Sequence, residues 1–282
     1  MPPQLVAKWK AEGRYDQEVK ELDEFFKRTG YPRAPRFYIM KWLTDYITEF
    51  GIDGYRVDTV KHTEEFVWQE FKKECDYAFE QYKKDNPEKV LDKNDFYLVG
   101  EVYNYAISHG KAFNMGDKSI NYFDKAFDAL INFEIKWNAK QMAAKDVFHK
   151  YDSILNGNLK GYSVLNYMTS HDDGMPFDKE RTQPFKTATM LLLTQGASQV
   201  YYGDETARDL TIEGAVGDAT LRSFMNWDAL SNNQTQQILN HWQKLGQFRN
   251  KHMAIGAGKH QLISEENGLV FSITQPKSKQ KV

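Results

Sequence analysis

From Ile52 onward the chain repeats one arrangement, a short apolar run of strand length followed by a stretch of helix length. Parallel strands cannot be joined by a tight turn and need a crossover of a dozen or more residues, so this rhythm predicts an α/β architecture with a parallel sheet. The strand-like runs are IDGYRVD (52–58), FYLVGE (96–101), ALINFEI (129–135), VLNYMTSHD (164–172) and a buried short strand in ASQVYYGDE (197–205). Helices are expected from about Thr63 to Lys84, from near Trp137, over FKTATMLLLTQ (185–195) and from Gln234 to Asn250. That makes five β-then-α units. The long stretch after Glu101, with Asn104, Gly110, Asn114, Gly116 and Asp117, is expected as a loop.

Ahead of the first strand, FYIMKWLTDYITEF (37–50) puts Ile39, Leu43, Tyr46, Ile47 and Phe50 on one helical face, and Gly51 ends the helix. Residues 1–36 carry Val19, Leu22, Phe25 and Phe26 at helical spacing. After Gly256 the pattern changes to two short strands around a Glu266, Asn267, Gly268 turn, with no helix following. The expected division is therefore 1–255 for the α/β part and 256–282 for the start of an all-β module.

Composition narrows the function. With 282 residues and 41% hydrophobic content the chain can bury a substantial core, and a net charge of −2 gives no footprint for nucleic acid or an anionic membrane. No apolar stretch reaches the length of a transmembrane helix. Cys75 is the sole cysteine, which rules out an intramolecular disulfide and a cysteine-based metal site; on its amphipathic stretch it is expected to be buried.

Chemistry is suggested by where the acids fall. In IDGYRVD alternation puts Ile52, Gly54, Arg56 and Asp58 on one face, so the arginine lies beside the aspartate and holds it ionised. A structural pair capping the strand would look the same. Glu101 follows an apolar strand and a glycine, where partial desolvation and nearby carboxylates raise a carboxyl pKa toward that of a proton donor. His171, Asp172 and Asp173 follow a third strand; histidine and aspartate are metal ligands, but adjacent positions do not readily converge on one ion. Acids ending successive strands at the face where parallel barrels place their active sites argue for a common purpose. Two carboxyl groups, one ionised and one protonated, are the minimum apparatus for glycoside hydrolysis, and a separation of about 5–5.5 Å makes it retaining.

GIDGYRVDTVKH, YLVGEVY and MTSHDD resemble, in order, the second, third and fourth conserved segments of the α-amylase superfamily, glycoside hydrolase family 13. YYGDE and LRSFMNW are similar to the last barrel strand of that family and the loop after it. The resemblance implies strands 4 to 8 of a (β/α)8 TIM barrel, followed by the beginning of the family's all-β C-terminal domain. It implies Asp58 as nucleophile, Glu101 as acid/base, and Asp172 as the carboxylate that binds sugar hydroxyls and stabilises the transition state. Arg56 would orient the nucleophile, His171 would bond the sugar at the cleavage point, and Lys61 and His62 would lie on the leaving-group side. The backbone carbonyl of His62 matches one that can ligate a structural calcium in α-amylases.

The expected activity is retaining hydrolysis of α-1,4-glucosidic bonds in an α-glucan, by a monomeric and exported enzyme. A transglycosylating or isomerising relative, or a non-enzymatic glucan-binding protein, are the alternatives. Tyr103, Tyr105, Tyr122, Phe123 and Trp227 are candidates for stacking on sugar rings, with core or loop packing as the competing reading for each. Two departures stand out. Ser170 replaces the asparagine usual before the His-Asp pair, and the family's first conserved segment is nowhere in the sequence. The latter makes the chain look like the C-terminal part of a longer enzyme.

Overall fold

The computed structural model describes residues 1–264, 270–275 and 280–281, so the turn expected at Glu266, Asn267 and Gly268 lies outside the described residues. The chain forms two compact units, Met1–Tyr55 with Phe66–Leu98, and Arg56–Glu65 with Val99–Val282.

The first unit is built on helices α1 (Pro3–Ala11), α2 (Tyr15–Thr29), α3 (Pro35–Phe50) and the body of α4 (Glu65–Asp85). Pro35 starts α3, where its missing N–H costs nothing, and Gly51 ends it with a φ of 64°, the left-handed conformation that glycine adopts without strain. On α2, Leu22, Phe25 and Phe26 are buried as their spacing predicts. On α3 the buried stripe differs from the expected one. Phe37, Met40, Lys41, Thr44 and Ile47 face inward, while Ile39, Tyr46 and Phe50 are exposed. Apolar residues surround most of this helix, so periodicity alone does not select the buried side. Phe37, Met40 and Ile47 are almost wholly enclosed on the inward side, where the Lys41 ammonium is compensated by Glu21 at 2.6 Å and Asp45 at 2.8 Å, while Tyr46 and Phe50 line an open cavity of about 1030 Å³. Cys75 is fully buried on α4, and burial pushes its thiol pKa up, which makes it inert as a nucleophile.

The main sheet contains β1 (Gly54–Val57), β2 (Tyr97–Gly100), β5 (Ala129–Asn132), β6 (Ser163–Tyr167) and β7 (Ala197–Gln199) in that order. The ladders β2/β5, β5/β6 and β6/β7 are parallel. Five parallel strands in sequential order are what part of a (β/α)8 barrel requires. Val99, Ala129, Ile131 and Tyr167 form a buried cluster of the second unit, with Phe133 and Leu165 packed on it. The helices α6 (Ile135–Gln141), α7 (Ala144–Leu155), α8 (Pro184–Leu193) and α9 (Asn233–Lys251) follow their strands as expected. The crossover after β2 has no long helix. It consists of a 3-10 turn at Ile107–His109, the two-residue strands β3 (Phe113–Asn114) and β4 (Ser119–Ile120), and the single-turn helix α5 (Tyr122–Lys125). β7 is shorter than the sequence suggested and only half-buried.

A short helix α10 (Ala254–Ala257) leads into β8 (Lys259–Ser264), which pairs antiparallel with β9 (Val270–Gln275), and β9 with β10 (Gln280–Lys281). Asp152 of α7 receives the His260 N–H at 2.7 Å, and Asn156, which caps that helix, donates to the Gly258 carbonyl at 3.2 Å. Among the described residues no helix is long and apolar enough to cross a membrane.

Candidate active site

Arg56 leaves the end of β1 with Asp58 two residues on, and extended alternation brings the two side chains together. Nη1 of Arg56 is hydrogen-bonded to Oδ1 of Asp58, while Nη2 lies 3.5 Å from Oε2 of Glu101. One guanidinium therefore serves two carboxyl groups.

Glu101 takes its place because β1 and β2 continue pairing at their ends. The Glu101 N–H donates to the Val57 carbonyl at 2.8 Å, and the Val60 N–H donates back to the Glu101 carbonyl at 2.9 Å. Between those bonds Thr59 adopts a left-handed conformation, φ 48°, and its N–H donates to Oε2 of Glu101 at 3.0 Å. Gly100 lets the strand approach its neighbours, since a Cβ there would sit 2.8 Å from the Phe127 ring.

The two carboxyl groups titrate in opposite directions. The Arg56 hydrogen bond, then contact with Glu101, hold the Asp58 pKa below its ordinary value, and the nearby His171 adds to this. Burial dominates at Glu101, only 6% exposed, and raises its pKa; the Thr59 amide opposes the rise, and contact with Asp58 adds to it. Since the groups interact directly, they titrate as a pair with one proton preferentially on Glu101.

His171 and Asp172 lie beyond β6, which ends at Tyr167, so the expected strand through Asp172 stops five residues early. Buried hydrogen bonds tie together the strand ends from which this segment leaves. Asn132 Nδ2 donates to Asn166 Oδ1 at 2.9 Å, and Asn166 Nδ2 donates to the Gln195 carbonyl at 2.8 Å, linking the segments at the C-terminal ends of β5 and β6 with the one leading to β7. Asp173 is bound by the buried Lys136 and by the Tyr167 hydroxyl, which donates at 2.5 Å. It is an anchor. Asp172 remains partly exposed, with His171 Nε2 3.2 Å from Oδ2 and the Ser170 hydroxyl donating to Oδ1 at 3.1 Å. Arg222, in the segment after β7, donates to the His171 carbonyl at 3.0 Å.

Lys61 and His62 occupy a 3-10 turn directly after Thr59. Lys61 donates to the Tyr103 carbonyl at 3.4 Å and lies 5.1 Å from the centre of the Tyr103 ring. Of the five aromatic candidates, Tyr105, Tyr122 and Phe123 are buried in the core and cannot meet a sugar. Tyr103 and Trp227 are exposed. Among the described residues no group of three His, Cys, Asp or Glu side chains could hold a metal. One backbone carbonyl at His62 falls far short of the six to eight oxygens of a calcium shell.

Residues 33–232 match the family described as alpha amylase, catalytic domain. The chain belongs to that family. Its relatives include the periplasmic α-amylase of Escherichia coli (strain K12), 35% identical over 261 residues, with 92% of this chain and 35% of that protein covered. The maltogenic α-amylase of Bacillus acidopullulyticus is 25% identical over 252 residues, covering 83% of this chain and 35% of that one. The fold resembles the crystal structure of the Geobacillus thermoleovorans α-amylase complexed with acarbose, with a TM-score of 0.61 at 22% identity, covering 85% of this chain and 50% of that one. The amylase-family chain thus spans about a third of the length of these curated relatives.

Three features of the site had no clear sequence signal. Thr59 is a β-branched residue in a left-handed conformation that nothing nearby in the sequence announces. Asp173 had no task assigned from the sequence, and its contacts with Lys136 and Tyr167 give it one. Arg222 was visible in LRSFMNW but without an assigned task.

Proposed function

We propose that the complete protein is a retaining α-glucan hydrolase that cleaves α-1,4-glucosidic bonds, and that this chain contributes the C-terminal strands of its barrel. The observation that carries this reading is Arg56 bridging two carboxyl groups of opposite titration, one held ionised and one enclosed. Asp58 attacks the anomeric carbon, and the bond to the leaving oxygen breaks as Glu101 passes its proton to that oxygen. Glu101, now a carboxylate, takes a proton from water, whose oxygen attacks the anomeric carbon and releases Asp58.

Asp172 accepts hydrogen bonds from sugar hydroxyls and stabilises the positive charge that develops on the ring. His171 donates to the same sugar. Arg56 keeps Asp58 ionised, and Lys61 and His62 bind on the leaving-group side with Tyr103 beside them. The antiparallel strands from Lys259 onward support reading 256–282 as the start of a β domain after a catalytic part at 1–255. The protein is proposed to act as an exported or periplasmic monomer, as the name of its Escherichia coli relative suggests for compartment.

The test uses the complete polypeptide, in which this chain is joined to the remaining barrel strands, with maltooligosaccharides as substrate. Fresh product should carry the α configuration by NMR, and shortened oligosaccharides should accumulate. Initial formation of the β anomer would overturn retention, and longer or rearranged products would favour transglycosylation. Asp58→Asn and Glu101→Gln should each remove most turnover and leave oligosaccharide binding intact. Residues 1–282 alone should be inactive, because a five-strand sheet provides only part of the wall around a sugar.

A further inference from the structure

We propose that Ser170 is a positioning residue for Asp172, an inference that rests on the function proposed above. Ser170 is 6% exposed, and its hydroxyl donates to Oδ1 of Asp172 at 3.1 Å. The other oxygen, Oδ2, faces His171 Nε2 at 3.2 Å. Both oxygens are thus engaged from one side by the preceding two residues, which fixes the rotamer of a carboxylate in a segment that β6 no longer supports.

The surrounding geometry makes this bond consequential. Asp173, next in sequence, is fixed by Lys136 and Tyr167, and the carbonyl of His171 is held by Arg222. The backbone on either side of Asp172 is therefore anchored, and its side-chain torsions are the freedom that remains. A hydroxyl donating to a carboxylate is charge-assisted, and at 3.1 Å this one orients the carboxylate without tying it down. It still leaves lone pairs on both oxygens for sugar hydroxyls. A serine where the superfamily usually has asparagine keeps a donor at this position, since either side chain can present one.

The test compares Ser170→Ala, Ser170→Thr and Ser170→Asn in the complete polypeptide, with maltooligosaccharide as substrate and thermal melts to confirm folding. Loss of the donor should lower kcat about tenfold in Ser170→Ala with KM changed less than about twofold, because sugar contacts that tighten in the transition state depend most on carboxylate orientation. Threonine or asparagine should restore kcat to within about threefold of the parent. Unchanged kcat in Ser170→Ala overturns the proposal, as does an equal loss in all three variants, which would mean that only packing matters. A parent without glycosidase turnover removes the functional reading and this inference with it. An active parent with an indifferent Ser170→Ala removes only the inference.

Discussion

The backbone N–H of Thr59 points at Oε2 of Glu101 from 3.0 Å, so a residue at the end of β1 fixes the carboxyl group at the end of β2. The same oxygen lies 3.5 Å from Arg56, which also holds Asp58. Glu101 is therefore positioned by donors that favour its charged form, inside a burial that disfavours that form. Burial prevails.

Activity of the complete polypeptide should follow a bell-shaped dependence on pH. The acidic limb reports ionisation of Asp58 and falls below the ordinary aspartate range, because Arg56 stabilises the anion. The alkaline limb reports loss of the Glu101 proton and lies above the ordinary glutamate range. In Arg56→Gln the acidic limb should move to higher pH, since Asp58 loses its main stabiliser, so kcat/KM should fall more at pH 5 than at pH 7. A rate–pH series on parent and variant measures this, and coincident acidic limbs would contradict the role of Arg56.

Stability should depend on pH through Glu101 with the opposite sign to a salt-bridged carboxylate. Its folded pKa is raised, so the native state binds more protons than the unfolded state between the two pKa values, and stability falls as pH rises from the unfolded pKa, about 4.3, to the raised one. Glu101→Gln escapes that loss. Urea melts should show the variant gaining on the parent at pH 7 and losing the advantage near pH 4; an equal difference at both values would assign the effect to something other than ionisation.

Arg181 and Asp204 form an ion pair at 2.8 Å, with the aspartate fully enclosed. Removing one partner leaves a buried charge without compensation, so Arg181→Leu should cost about 3–5 kcal/mol in urea unfolding. Replacing both residues by apolar ones should recover most of that loss. A double variant as unstable as the single one would show that the pair is not the source.

Gly100→Ala should destabilise by about 1–3 kcal/mol, because the new methyl meets the Phe127 ring at 2.8 Å and the interior is already close-packed. Any relief by strand displacement shifts the adjacent Glu101. Turnover should therefore drop by more than the unfolded fraction explains, a comparison that denaturation curves and kcat together provide.

The order of elements, the pairing of Arg56 with Asp58 and the enclosure of Glu101 were all legible in the sequence by itself, because strand alternation and the apolar run before Gly100 are local properties. Family membership was legible for the same reason, since three short segments in the right order carry it. Only the tertiary structure decided which side of α3 is buried, because partners of that side, such as the Glu21 that compensates Lys41, lie far away along the chain. It also gave Asp173 a task that the sequence had not. Asp173 became an anchor when Lys136 and Tyr167 reached it, and Asp172 is held by Ser170 and His171. Tyr105, Tyr122 and Phe123 went into the core instead of the site for a related reason: burial belongs to the neighbours a fold assembles, and local pattern does not name them.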